Sequence, residues 1–368
     1  MIPKGKMKIV IKVGTSTLTD KDGLLDKKYL SNLAGHIAGL RKNWHEIIIV
    51  SSGAIGAGMG HLKLKKRPET LREKQALAAV GQPLIMNAYA EAFSVHSVSV
   101  AQVLLTRDDF EDRTKYINAR NTLCELTEQR IIPVINENDT VAVEEINFGD
   151  NDTLAALVAA SVNADKLVIF TDVDGLYDDH PSRGRLINTV EKITEEVENY
   201  ATGGSSSGKG TGGMKTKLIA AKIASASGVE TVITNGAKPE LLDEIVSGGR
   251  AGTLFSAGKR RLEAKKSWIA FGKKPKGNLF VDKKAAEALT CKGKSLLAAG
   301  IMKISGTFKR GDTVFVTDSD TKKDFAAGLV NFSSEDMQLI KGKKTTEIKK
   351  MLGHAEDEVI HRDNLVIL

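Results

Sequence analysis

Short apolar runs recur along residues 7–234, each separated from the next by a stretch with helical spacing. MKIVIKV (7–13), EIIIV (46–50), SVSVAQVLL (97–105), RIIPVIN (130–136), KLVIFT (166–171) and ETVIT (230–234) read as strands. Between them, residues 25–42 place Leu30, Leu33, Ile37 and Leu40 one helical turn apart, and 70–93, 118–129, 152–162 and 214–227 also read as helices. A strand that is apolar on both faces must be covered on both faces. Such strands alternating with helices predict a mainly parallel sheet in a three-layer α/β/α sandwich.

The pattern changes near Arg260. RRLEAKK is a charged hinge, followed by GNLFVD, a small helix over 283–289, then GIMKISGTF, GDTVFVTD and FAAGLVNF. Valine, isoleucine and phenylalanine set between Gly and Asp turns predict a small β-rich domain. The expected division is a first domain over 1–262, a hinge over 263–274 and a second domain over 275–368.

The 368-residue chain carries a net charge of +7, and the excess is uneven. Residues 263–368 hold 20 Lys and Arg against 14 Asp and Glu, whereas 1–262 hold 33 against 32. So modest an excess reads as a solvated lysine-rich surface, with contact to an anionic partner as the alternative. Cys124 and Cys291 form no CxxC, which excludes a disulfide scaffold and a thiolate zinc site and fits a reducing compartment. The N-terminal apolar run is interrupted by Lys8 and Lys12, unlike a signal peptide, and no run approaches the roughly 18 residues of a membrane span. A cytoplasmic protein is expected.

In open parallel sheets, ligands bind beyond the C-terminal ends of the strands. Lys12 lies in the first apolar strand, where burial is costly unless an anion meets it; an edge-strand lysine is the alternative. Ser51-Ser52-Gly53 follows the second strand, with more glycines at 56, 58 and 60 that suit either an anion near the backbone or tight helix packing. Asn136-Glu137-Asn138-Asp139 and Gly149-Asp150-Asn151-Asp152 repeat acids with amides, suited to an ammonium-bearing substrate and partly to helix capping. Cation ligation is the alternative, although the EF-hand spacing is absent, and no metal site is assigned. Thr171-Asp172-Val173-Asp174-Gly175 is close to a phosphatase DxDG, with Leu176 where Thr is usual. Residues 203–213 nearly match a P-loop and a dinucleotide fingerprint, yet neither match follows a strand. Thr211-Gly212-Gly213-Met214-Lys215-Thr216-Lys217 instead opens a helix, and its N–H groups with Lys217 can cradle an anion.

Together IVIKVGTSTLT, VSSGAIGAG, PVINENDTV, FGDND, FTDVDGLY and GTGGMKTKLIAA resemble, in order and spacing, the glutamate 5-kinase branch of the amino acid kinase superfamily. WIAFGKKPKGNLFVD, GKSLLAAGI, GTFKRGD and VIHRDNLVIL are similar to the PUA domain that many of its members carry. The resemblance implies ATP-dependent phosphorylation of the side-chain carboxylate of L-glutamate, with Mg²⁺, as the first committed step of proline synthesis. It also implies proline feedback inhibition, a homodimer or tetramer, and a reductase partner for the labile glutamyl phosphate.

By motif, Lys12 and Lys217 would stabilise the transferring phosphoryl group and Asp152 would hold both lysines. Gly14 and Gly53 would donate to phosphate oxygens. Thr171, Asp172 and Thr211, Gly212, Gly213, Met214, Lys215, Thr216 and Lys217 would line the ATP site. Ser52, Asp139 and Asn151 would bind glutamate, supported by Asn136 and Asp150. One departure lies in the tail: Asp282-Lys283-Lys284-Ala285 puts lysine where PUA domains of this family carry glycine, which argues against an RNA contact and for a role in oligomerisation or regulation.

Overall fold

The computed structural model describes residues 5–20, 24–142, 151–201, 213–258, 275–343, 347–348, 351 and 358–368. The chain divides into two compact units, Met1–Arg261 and Leu262–Leu368. The hinge expected over 263–274 lies outside the described residues.

The first unit contains β1 (Lys8–Val13), α1 (Thr15–Leu18), α2 (Lys27–Lys42), β2 (Glu46–Ser51), α3 (Ala54–His61), α4 (Leu71–Ser94) and β3 (Val100–Leu105). It continues with α5 (Arg107–Glu111), α6 (Arg113–Glu128), β4 (Ile132–Glu137), α7 (Asn151–Ser161), β5 (Lys166–Thr171) and β6 (Thr189–Val190). It closes with α8 (Glu195–Tyr200), α9 (Met214–Ala226), β7 (Glu230–Asn235), α10 (Leu241–Val246) and β8 (Thr253–Phe255). The sheet order is β3-β4-β2-β1-β5-β7-β8-β6. All neighbours run parallel except β7 and β8. Chain order reverses direction at β1, with β2 on one side and β5 on the other. That is the topological switch at which open sheets form their binding crevice. β1 is therefore central, and the edge-strand explanation of Lys12 does not hold.

Strand alternation decides which way Lys12 faces. Ile9, Ile11 and Val13 enter a core shared with Leu33 and Ile37 of α2 and Tyr89 and Phe93 of α4. Each fully buried side chain of this size contributes roughly 1.5–3 kcal/mol relative to exposure. Lys12 points to the opposite layer, where α7 and α9 pack. In α7 every residue but Thr153 is buried, so its first turn is held by packing on all sides.

Element starts follow local chemistry. Thr70 and Glu73 form a capping box at the start of α4. Asp112 accepts from the Lys115 N–H at 2.9 Å, so α6 begins earlier than the spacing over 118–129 indicates. β3 begins at Val100 because Ser97 turns with a φ of 56°. The glycines after β2 divide their work. Gly53 caps α3 in a left-handed conformation (φ 104°), whereas Gly58 meets Gly81 of α4 where no side chain fits. A Cβ on Gly81 would lie 1.8 Å from the Ala54 carbonyl oxygen.

The second unit is a five-stranded sheet ordered β10-β9-β11-β12-β13. Its strands are β9 (Gly277–Val281), β10 (Ile301–Gly306), β11 (Thr313–Asp318), β12 (Asp324–Leu329) and β13 (Leu365–Ile367). β9 and β11 pair parallel and the other neighbours antiparallel. Helices α11 (Lys283–Thr290) and α12 (Ser334–Ile340) cover a core that includes Leu279, Val281, Leu289, Val316 and Met337. Asp282 accepts from the Ala285 N–H at 2.7 Å and caps α11, and Lys284 is exposed beside it. Among the described residues, no helix is long and apolar enough to cross a membrane.

Candidate active site

Two polar clusters meet at the first two residues of α7. The first is a buried charge triad. The Lys12 Nζ lies 2.7 Å from Asp152 Oδ1, and the Lys217 Nζ lies 3.1 Å from Asp152 Oδ2. Asp152 is wholly buried and the two lysines are 5% exposed. The Thr216 hydroxyl also donates to Asp152 Oδ2 at 3.3 Å. Burial pushes the Asp152 carboxyl up, but the Lys12 and Lys217 ammonium groups outweigh it and hold it below the usual carboxylate range. β1 delivers one ammonium from the centre of the sheet and α9 delivers the other from the helical layer. One carboxylate with two ammonium groups leaves net positive charge in a dry crevice, which suits an anion.

Gly14 follows β1, and a Cβ there would sit 3.7 Å from the Lys12 ammonium. Its missing side chain leaves the space beside that cation open. Thr171 ends β5, the neighbour of β1; its hydroxyl donates to Asp172 Oδ1 at 3.0 Å and its carbonyl accepts from the Gly236 N–H at 2.7 Å. Asp172 is exposed. Gly213 caps α9; Met214 is half-buried and Lys215 exposed in its first turn. Of the expected site residues, Asp150, Thr211 and Gly212 lie outside the described residues.

The second cluster is an amide relay. The Asn151 Nδ2 amino group is 2.9 Å from the Ser51 carbonyl, 3.0 Å from Ser52 Oγ and 2.9 Å from Asn136 Oδ1. Asn136 Oδ1 also accepts from the Glu137 N–H at 2.9 Å, and Asn136 Nδ2 donates to Gln82 Oε1 at 2.8 Å. The Ser51 hydroxyl is 3.1 Å from the Tyr89 hydroxyl, which braces the end of β2 against α4. Ser52, Asn136 and Asn151 therefore come together.

Asp139 lies at the next opening, a cavity of about 250 Å³ between α4 and the ends of β3 and β4. Gln82, Pro83, Gln102, Glu137 and Asp139 are among its lining residues. Burial, with Asp139 nearby, raises Glu137 to about 7, and burial raises Asp139 to about 6. A cation placed beside these two acids would offset the burial that opposes their ionisation. Sequence reasoning gave no role to Gln82 or Glu137. The signal available was Gln82-Pro83 inside a helical pattern, since a proline there interrupts the backbone bonds of the helix.

The profile of the Amino acid kinase family matches residues 7–235, and that of the PUA domain matches residues 277–352. A glutamate 5-kinase of Caldanaerobacter subterraneus subsp. tengcongensis is 50% identical over 366 residues, covering 98% of each chain. One from Thermoanaerobacter sp. (strain X514) is 49% identical over 366 residues, again covering 98% of each. One from Geobacter sulfurreducens is 47% identical over 365 residues, covering 98% of this chain and 97% of its own. Identity of this extent carries through both units, and the chain belongs to the amino acid kinase family and, within it, to the glutamate 5-kinases.

Proposed function

We propose that the chain transfers the γ-phosphoryl group of ATP to the side-chain carboxylate of L-glutamate, giving L-glutamyl 5-phosphate and ADP, the entry step of proline biosynthesis. The observation that carries this reading is the pair of ammonium groups on Asp152, beside a relay of amides that begins at the adjacent residue. The carboxylate is already a nucleophile, so no general base is required. One of its oxygens forms a bond to the γ-phosphorus while the bond to the bridging oxygen breaks and the electron pair leaves on ADP. The barrier is the approach of one anion to another, roughly 4 kcal/mol for unit charges at 4 Å in an effective dielectric near 20. Lys12 and Lys217 offset that repulsion and stabilise the charge on the transferring group. Gly14 and Gly53 offer backbone donors to phosphate oxygens. Thr171, Asp172 and the start of α9 face the nucleotide, and Ser52, Asn151 and Asp139 hold the amino acid.

Mg²⁺ enters this reading as the companion of the nucleotide. It would be held mainly by phosphate oxygens and water. Proline shares the ammonium and carboxylate of glutamate and would compete at or beside the Asp139 pocket; inhibition absent at low glutamate would refute this. The second unit serves assembly, as a dimer or tetramer, or regulation, and salt-sensitive RNA retardation by the full chain would overturn that preference. The labile product needs a reductase to receive it.

The test is hydroxylamine trapping of the acyl phosphate with ATP and a panel of acids. L-glutamate should give the hydroxamate. Preference for aspartate or N-acetylglutamate would reassign the acceptor, and no product with any acid would refute the reading.

A further inference from the structure

The amide relay fixes its own polarity. The Glu137 backbone N–H can only donate, so the Asn136 atom that it meets at 2.9 Å is the acceptor Oδ1. The other end of the Asn136 amide is then the donor Nδ2, and the Gln82 atom 2.8 Å from it must be the acceptor Oε1. The Ser51 carbonyl, which can only accept, fixes Asn151 Nδ2 in the same way from the far end. What remains is Gln82 Nε2. It is buried, Gln82 as a whole is 9% exposed, and among the described residues no acceptor reaches it. A buried donor without an acceptor costs about 1–3 kcal/mol, which a ligand bearing an acceptor would recover.

Gln82 lines the cavity that holds Glu137 and Asp139, and the next residue, Pro83, has no N–H to meet the Ala79 carbonyl one helical turn earlier. Ala79 lines the same cavity. The α4 wall of this space thus carries an orphaned donor, and the β4 side carries two carboxyl groups. This is the complement of a group bearing one carboxylate and one ammonium on the same carbon. The position also fits. In the order β1-β2-β4, the end of β4 is two strand spacings from that of β1, roughly 9–10 Å. A side-chain carboxylate between the ends of β1 and β2 would therefore direct the α-carbon end of the acceptor toward β4.

We propose that Gln82 is a positioning and specificity residue whose Nε2 donates to the α-carboxylate of the acceptor amino acid, while Glu137 joins Asp139 around its α-ammonium group. This rests on the carboxylate-phosphorylation reading above and names the half of the substrate that does not react.

The test compares wild-type enzyme, Gln82→Glu and Gln82→Met in steady-state assays with L-glutamate between pH 7 and 9, alongside thermal melts. Gln82→Glu keeps the acceptor toward Asn136 but replaces the donor by an acid. A purely structural role predicts wild-type kinetics for Gln82→Glu and impairment only in Gln82→Met. The donor role predicts a glutamate KM raised at least tenfold in both, with kcat within a few-fold and Gln82→Glu worsening as pH rises. A wild-type KM in Gln82→Glu throughout, or in Gln82→Met, overturns the inference. Should Gln82→Glu fail to fold, Gln82→Met is assayed with L-glutamate and with 4-aminobutyrate, which lacks the α-carboxylate: the donor role predicts a raised KM for L-glutamate alone, and an equal rise for both overturns the inference. Failure of the underlying reading looks different: the wild-type enzyme itself would make no glutamyl hydroxamate.

Discussion

Replacing Asp152 by Asn keeps the shape of the triad and removes its only negative charge. The distances of 2.7 and 3.1 Å correspond to roughly 5–6 kcal/mol of attraction each at an effective dielectric near 20, before desolvation is counted. Desolvation cancels much of that gain in the intact triad. In Asp152→Asn it is no longer offset, because two buried ammonium groups are left facing an amide. Breaking a buried pair from one side costs about 3–5 kcal/mol. At about 2–4 °C per kcal/mol for a unit of this size, the melting temperature should fall by about 6–20 °C. Turnover should fall at least about a hundredfold, because neither lysine is held on the phosphoryl path. Two controls separate charge from shape. Adding Lys12→Met to Asp152→Asn should recover part of the stability and none of the activity. ATP should raise the melting temperature more in Asp152→Asn than in wild type, because the triphosphate replaces the missing anion. The wild-type stabilisation from this group should be flat between pH 5 and 8. A depressed carboxyl contributes fully above its unfolded value near 3.9 and loses its contribution only as pH falls through the still lower folded value. A melting temperature within about 2 °C of wild type together with turnover within threefold would refute the electrostatic account of the triad.

Lys12→Ala and Lys217→Ala should each lower kcat at least about a hundredfold in the hydroxylamine assay; an unchanged kcat removes that lysine from the mechanism. Glu137 and Asp139, raised to about 7 and about 6, bind protons in the folded protein that the unfolded chain releases near pH 4. Their ionisation therefore costs stability as pH rises from about 4 to 7, and an ammonium ligand recovers it. The glutamate KM should fall between pH 5.5 and 7.5, and Glu137→Gln should abolish the part of that fall centred near 7. Gly81→Ala should lower the melting temperature, since its Cβ would meet the Ala54 carbonyl at 1.8 Å and force α3 and α4 apart. A wild-type melt would show that the two helices yield freely.

Much of this molecule is legible in its sequence where a physical constraint acts along one segment. KLVIFT becomes β5 at the boundaries that its apolar run sets, and Met214 begins α9 where a glycine-rich run gives way to helix formers. Lys12 stood out because an amine in an apolar strand requires a reason. What stayed hidden depends on neighbours distant in sequence. β6 and β8, with two and three residues, are too short to carry a period, and β8 reverses direction only because of what it pairs with. Glu137 and Asp139 look like ordinary loop acids until burial is known. Gln82 looks like a surface glutamine of α4 until Asn136 takes one end of its amide and leaves the other without a partner among the described residues.

Asn151 and Asp152 are consecutive, yet one reaches the ends of β2 and β4 while the other reaches Lys12 and Lys217. The first turn of α7 thus works as a caliper whose two jaws are neighbouring residues on a helix gripped along its whole length. On the proposed reading, the step from Asn151 to Asp152 sets the separation between the acceptor-holding amides and the phosphoryl-facing lysines. An insertion or deletion there would shift both jaws at once, so this gap can be retuned only by changing the side chains that reach into it.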